Sequence, residues 1–211
     1  MRTIYLLRHC ETEGSFQRCI GVTDVPLSAE GVKHAQRLGA YFADKKIAAV
    51  FCSSTERAVR TAQAVAGEGT AVTKWEDLHE IDMGDWDGLS FAEIRARFPE
   101  EYRQRGLALA DFTPPHGESF AACRERAKKA MRRIACGTEG DIVVVAHAGF
   151  NRAFLCDLCR VNLQDLFTIP QPYGCVNILV MQNGAFWPRE VDAPAKRGEE
   201  PLHARRAEDA E

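Results

Sequence analysis

The chain has 211 residues, 45% of them hydrophobic and 27% charged, with a formal net charge of -3. That length suits one sizeable domain of ordinary globular composition. Without a basic excess there is no global field for nucleic acid, so an anion site must be a local cluster of Arg and His. No stretch approaches bilayer-spanning length, and the apolar run before Arg8 is too short for a signal-peptide core. A cytoplasmic protein is expected, with no membrane and no nucleic-acid partner. Its eight cysteines (10, 19, 52, 123, 136, 156, 159 and 175) are read as reduced thiols. Cys156 and Cys159 form a C-x-x-C in an apolar helical stretch without a second pair, and read as small core-facing side chains.

Taken in order, Thr3 to Leu7 reads as a buried strand that stops at Arg8-His9-Cys10-Glu11-Thr12. A long polar loop with Gly14, Gly21, Thr23-Asp24 and Pro26 runs to Leu27. Ser28 predicts an N-cap for a helix with Val32, Ala35, Leu38 and Phe42 on its apolar face. Ala48 to Cys52 reads as a second strand, and Ser53-Ser54-Thr55 as the cap of a helix carrying Ala58, Ala62 and Val65. Val72 to Trp75 is a third strand. Ile81 to Leu89, rich in Asp and Gly around Trp86, reads as a structured loop. Phe91 to Phe98 is a short helix stopped by Pro99, with another helical piece to Gly106, and Thr113 to Gly117 is a break. Arg95, Arg97, Arg103 and Arg105 read as helical surface positions. Ser119 to Ala135 is an amphipathic helix with a basic, solvated outer face. Asp141 to Ala146 is the clearest buried strand, delivering His147-Ala148-Gly149 and a helix with Phe154, Leu155 and Leu158. Cys175 to Met181 and Ala185 to Val191 flank the hairpin signal Gln182-Asn183-Gly184. From 192 the chain is charged and poor in large apolar residues, so the expected division is a catalytic domain over 1–191 and a frayed polar tail over 192–211.

Strands alternating with helices predict an α/β protein, a three-layer α/β/α sandwich. Its sheet is mainly parallel with an antiparallel edge, and the helical and loop insertion lies over the C-terminal edge. In such a sheet the strand ends share one edge, where ligands bind. Arg8-His9, Arg57 (one turn beyond the second strand) and His147 all fall there, although they are distant in sequence. Arginine grips a phosphoryl group with its planar fork, and a neutral imidazole nitrogen is a competent nucleophile toward phosphorus. Two arginines and a second histidine supply donors for a transferring phosphoryl group, and Glu80 is a candidate proton donor to the leaving oxygen.

These segments resemble the motifs of the histidine phosphatase, or phosphoglycerate mutase-like, superfamily. Arg8-His9-Cys10-Glu11-Thr12 is similar to its Arg-His-Gly-Glu-Thr signature. Asp24-Val25-Pro26-Leu27-Ser28 with Gly31, and Ser53-Ser54 with Arg57, Ala58, Thr61 and Ala62, follow in the family's order. Leu78-His79-Glu80 with Gly84, Trp86 and Gly88, then Gly117-Glu118-Ser119 and Val145-Ala146-His147-Ala148-Gly149, complete the set. The resemblance implies that His9 forms a phosphohistidine, while Arg8, Arg57 and His147 hold the phosphoryl oxygens. Backbone N–H groups after His147 would assist, and Glu80 would protonate the leaving alcohol. Ser15, Gly21 and Ala148 would complete the substrate-binding set. It further implies no metal and no cofactor, a small phosphorylated metabolite as partner, and a monomer or homodimer.

The departures from the pattern are Cys10 for a glycine, Ser15 for Asn, His79 for Arg or Asn, and Ala148 for Gly. Cys10 either crowds the phosphate or points away, and as a thiol between cations it is a candidate for oxidation. His79 is read as a surface residue. The short stretch from Leu89 to His116 favours a phosphatase over a mutase. The segments 147–152 and 171–177 resemble α-ribazole phosphatase-like members, which act in cobalamin nucleotide-loop assembly. A broad sugar-phosphate phosphatase, a phosphoglycerate mutase and an inactive phosphate- or partner-binding module are the rival readings.

Overall fold

The β-branched run at the N terminus gains one residue at each end and becomes strand β1 (Arg2–Arg8). The remaining strands are β2 (Ile47–Cys52), β3 (Val72–Lys74), β4 (Asp141–Ala146), β5 (Val176–Gln182) and β6 (Ala185–Ala193). The helices are α1 (Ala29–Phe42), α2 (Glu56–Ala66), α3 (Phe91–Arg97), α4 (Pro99–Leu107), α5 (Phe120–Cys136) and α6 (Ala148–Cys159). These assignments come from a computed structural model that describes residues 1–15 and 17–193. The tail expected to fray lies, from 194 onward, outside the described residues.

The six strands form one sheet in the order β3-β2-β4-β1-β5-β6. β1 through β4 run parallel, while β5 pairs antiparallel with both β1 and β6. Both faces are covered, which explains why β4 is apolar throughout rather than alternating. Its Ile142, Val144 and Ala146 enter the core beneath α5 and α6, whereas Val143 and Val145 enter the core beneath α1 and α2. The expected three-layer sandwich is what the chain forms.

Local chemistry accounts for most boundaries. The side chains of Ser28 and Ser119 accept the N–H groups of Gly31 and Ala122, and Ser90 with Glu93 forms a reciprocal capping box. Asn183 and Gly184 both have positive φ, the backbone that a tight hairpin between right-twisted strands requires.

Several expectations are corrected. Val32 is 46% exposed because the buried stripe of α1 runs through Gly31, Ala35, Leu38 and Phe42 instead. Thr55 occupies the N-cap of α2 without a side-chain bond; the Asp24 carboxylate reaches across and accepts the Glu56 N–H at 2.9 Å. Arg105 is half-buried, its stem packed in a cleft with Ile81, Met83, Leu109 and Phe112. A 3-10 turn at Leu163–Thr168 had no signal in the periodicity. The insertion over the sheet edge is anchored by Trp86, whose ring contacts Phe98, Tyr102 and Phe112.

Candidate active site

β1 and β4 end side by side, with Arg8 opposite Ala146, and the His9 N–H donates to the Ala146 carbonyl at 3.0 Å. His9 and His147 therefore leave adjacent strands at the same level, and their ring centres lie 5.1 Å apart. The His9 Nδ1 is 2.8 Å from the Cys10 carbonyl oxygen. A carbonyl only accepts, so Nδ1 carries the proton and Nε2 keeps a lone pair. Burial, then the charges of Arg8 and Arg57, push the His9 pKa well below the ordinary imidazole value. The ring is neutral and nucleophilic.

Arg57 projects from the first turn of α2 and is 1% exposed. Its Nη1 donates to the Thr23 carbonyl at 2.7 Å and its Nη2 to the Gly21 carbonyl at 2.6 Å, which fixes the fork. Gly21 is held in turn by its own N–H, which donates to Asp87 at 2.7 Å. A Cβ on Gly21 would lie 2.7 Å from the Ile81 carbonyl oxygen, so only glycine fits. Arg8 donates through Nη1 to the Gln171 carbonyl at 2.7 Å, and Tyr173 covers its guanidinium face. His147, at the N-cap of α6, is fully buried, and among the described residues neither ring nitrogen has a partner. The Nε atoms of Arg8 and Arg57 are buried and unpartnered as well. Unmade bonds of this kind cost about 1–3 kcal/mol each, and several of them on the residues that surround one histidine mark a ligand site. Burial, followed by His9 and then the two arginines, holds the His147 pKa well below its ordinary value.

Glu80 lies against the start of α6. Its Oε1 accepts the Ile81 and Phe150 N–H groups, each at 2.9 Å, and its Oε2 accepts the Gly149 N–H at 3.0 Å. This corrects the expectation that the N–H groups after His147 serve the phosphate, because Gly149 and Phe150 are occupied by the carboxylate. Of the first turn of α6, the Ala148 N–H stays outside these bonds. A Cβ at Gly149 would come within 2.7 Å of Oε1, which explains the glycine. The carboxylate prefers this position because a helix N terminus favours negative charge.

Arg8, His9, Arg57, Glu80 and His147 are thus brought together. Ser15 reaches the edge of the site indirectly, its Oγ 2.9 Å from the Tyr173 hydroxyl. Gly21 positions Arg57 and does not face the cage with a side chain. Of the two alternatives for Cys10 the structure takes the second: its side chain lies in the core with Leu38, Ala58 and Ala62. Burial raises its thiol to about 12, so it is neither exposed nor a thiolate. All eight cysteines are free, with Cys156 buried and Cys159 half-buried.

Other residues were given no role by sequence reasoning. Arg126, on the face of α5 read as solvated, pairs with Glu118 at 2.6 Å and donates to the Asp77 and His79 carbonyls, holding the segment that carries Glu80. Gln171 and Asn177 form a buried amide pair at 2.8 Å behind Arg8. The Gly117-Glu118-Ser119 motif was the available signal for the first. The second lies in the 171–177 segment already singled out, which carried no sign that its two ends pair.

A sequence profile of the histidine phosphatase superfamily (branch 1) matches residues 4–193. The chain belongs to the histidine phosphatase superfamily. Among solved structures it is similar to YhfR of Bacillus stearothermophilus, at 30% identity and a TM-score of 0.86, covering 92% of this chain and 99% of that one. The α-ribazole phosphatase of Shigella flexneri shares the fold at 24% identity and a TM-score of 0.83, covering 94% of this chain and all of that one. Human 6-phosphofructo-2-kinase/fructose-2,6-bisphosphatase 3 is 29% identical over 219 residues, covering 97% of this chain and 41% of its own length. The histidine phosphatase chain thus spans about two fifths of the length of the curated relatives it matches. Among its described residues no helix is long and apolar enough to cross a membrane.

Proposed function

We propose that the protein is a phosphomonoesterase acting through a phosphohistidine, with protein side chains in place of a metal. The observation that carries this reading is the set of buried, unpartnered donors on Arg8, Arg57 and His147 around a neutral His9. Nε2 of His9 attacks phosphorus, and the bond to the leaving oxygen breaks as the N–P bond forms. Arg8, Arg57 and His147 stabilise charge on the equatorial oxygens. Glu80, in its protonated form, gives the leaving oxygen a proton through Oε2, the oxygen with only one N–H bond, and is left as the carboxylate that the helix N terminus favours. In the second half Glu80 takes a proton from water, which attacks phosphorus and releases His9.

The finer reading is a cytoplasmic α-ribazole 5′-phosphate phosphatase. The segments 147–152 and 171–177 and the shared fold with the Shigella enzyme support it, with a sugar-phosphate phosphatase as rival. Hydrolysis of 4-nitrophenyl phosphate with and without a chelator tests the class. Turnover that persists with chelator and disappears in His9→Ala is expected. Phosphate binding by an inert wild type would instead indicate a binding module. Comparing α-ribazole 5′-phosphate, 3-phosphoglycerate and sugar phosphates tests the substrate, where each tenfold preference is about 1.4 kcal/mol.

A further inference from the structure

Beside the phosphate cage lies a cavity of about 390 Å³ lined by Val22, Asp24, Ser53, Ser54, Thr55, Glu76, His79 and Asp82. No cage side chain lines it; its walls are chain neighbours of the cage residues. Arg57 grips the carbonyls on either side of Val22, and His79 and Asp82 flank the Glu80-Ile81 pair. His79 is close enough to His147 to act on its charge state. Lying between the proton donor and the loop that fixes Arg57, the cavity is placed to take what the phosphate is attached to.

Its lining is one-sided in charge: three carboxylates and an imidazole stand beside three hydroxyls that can donate or accept, with the buried Oγ1 of Thr55 unpartnered. Asp24 is already committed, to the Glu56 N–H and to Arg57 at 3.8 Å. Asp82 gives Oδ1 to the Gly84 N–H and keeps Oδ2. Glu76 makes no ion pair among the described residues, and no Lys or Arg lines the cavity. His79 donates Nδ1–H to the Glu80 carbonyl at 2.7 Å, so its Nε2 is an acceptor when the ring is neutral. His79, read as a surface residue, is half-buried and lines the cavity. A second kind of observation points to a ligand. Ser53, at the end of β2, is 0% exposed, and its buried Oγ has no partner. A wall of carboxylates and an imidazole acceptor around an unpartnered hydroxyl binds hydrogen-bond donors and repels a second negative charge.

We infer that this cavity is the leaving-group subsite, and that it selects phosphate esters of donor-rich alcohols bearing no second anion. The inference rests on the phosphomonoesterase reading and narrows it. Polyol and sugar-type leaving groups fit, and the cavity size is at the lower end of the roughly 300–1,000 Å³ common for small-molecule sites. Carboxylated alcohols and bisphosphates do not fit.

The test uses a matched pair that differs at one carbon, glycerol 3-phosphate with a hydroxymethyl group and 3-phosphoglycerate with a carboxylate. With the full-length wild type, kcat/KM for the glycerol ester should exceed that for the carboxylated one by about tenfold or more. In Glu76→Lys the preference should shrink at least fivefold or reverse, while a native circular dichroism spectrum and unchanged binding of inorganic phosphate confirm a folded protein with its cage intact. Glu76→Gln should give a smaller shift in the same direction. A wild type active on the aryl ester but indifferent between the pair, or an unchanged ratio in Glu76→Lys, overturns the subsite. A wild type that hydrolyses no phosphate ester overturns the phosphatase reading, and the subsite with it.

Discussion

The guanidinium carbon of Arg8 lies 3.7 Å from the centre of the Tyr173 ring. The same ring is 5.6 Å from that of His9, and its hydroxyl meets Ser15 at 2.9 Å. One aromatic side chain therefore covers the proposed phosphate-binding cation, borders the proposed nucleophile and ties the loop after β1 to the segment before β5. Cation–π contacts are worth about 0.5–2 kcal/mol, increasing with desolvation. Tyr173→Ala should weaken competitive inhibition by inorganic phosphate about 2- to 30-fold. Tyr173→Phe, which keeps the stack and loses the Ser15 contact, should lie close to wild type.

In the proposed mechanism Glu80 stands at both proton transfers, but the two do not depend on it equally. With 4-nitrophenol as leaving group the first step needs little protonation, whereas attack by water on the phosphohistidine still needs a base. Glu80→Gln should lower steady-state kcat by about 10²- to 10⁴-fold. Rapid mixing should show a burst of nitrophenolate near one equivalent per site, with acid-labile phosphate trapped on His9. A loss without a burst would move Glu80 out of the second step.

The two buried imidazoles set a pH dependence. Both pKa values are held well below 6.5 in the folded chain, by burial first and by cationic or imidazole neighbours second. The unfolded chain takes up these protons as pH falls through about 6.5, and the folded chain does not. The unfolded state thus binds more protons, and stability falls from about pH 6.5 downward until the folded imidazoles themselves protonate. Imidazole NMR signals of His9 and His147 should not move between pH 7 and 6, and the melting temperature should decline over the lower part of the range. His147→Gln should flatten that decline.

Arg57 is gripped by two carbonyls, and a lysine has no fork to satisfy both. Arg57→Lys should keep the positive charge and still lose about 10²- to 10³-fold in kcat/KM, as for loss of one preorganised donor.

Thiol chemistry should spare the nucleophile's neighbour. Cys136 is the exposed cysteine of the eight, while Cys10 is buried with its thiol raised to about 12. Iodoacetamide on the native protein should modify Cys136 first and leave Cys10 unlabelled, as peptide mass analysis would report. Peroxide should inhibit wild type and Cys10→Ser alike.

What the amino-acid order determined by itself was local: apolar runs for β1, β2 and β4, the Ser28 cap of α1, and the Asn183-Gly184 hairpin. Parallel β1, β2 and β4 must also present Arg8, His9 and His147 at one edge, with Arg57 one turn beyond β2, so the core of the candidate site was legible in the sequence. Contacts between distant segments were not, because the chain carries no period for them. Only the tertiary structure turned Cys10 into the core, seated Glu80 on the start of α6 and brought Tyr173 over Arg8. It also set Glu76, His79, Asp82 and Ser53 around one cavity. Each of these depends on which loops meet above the sheet, and that is decided by the packing of the whole molecule.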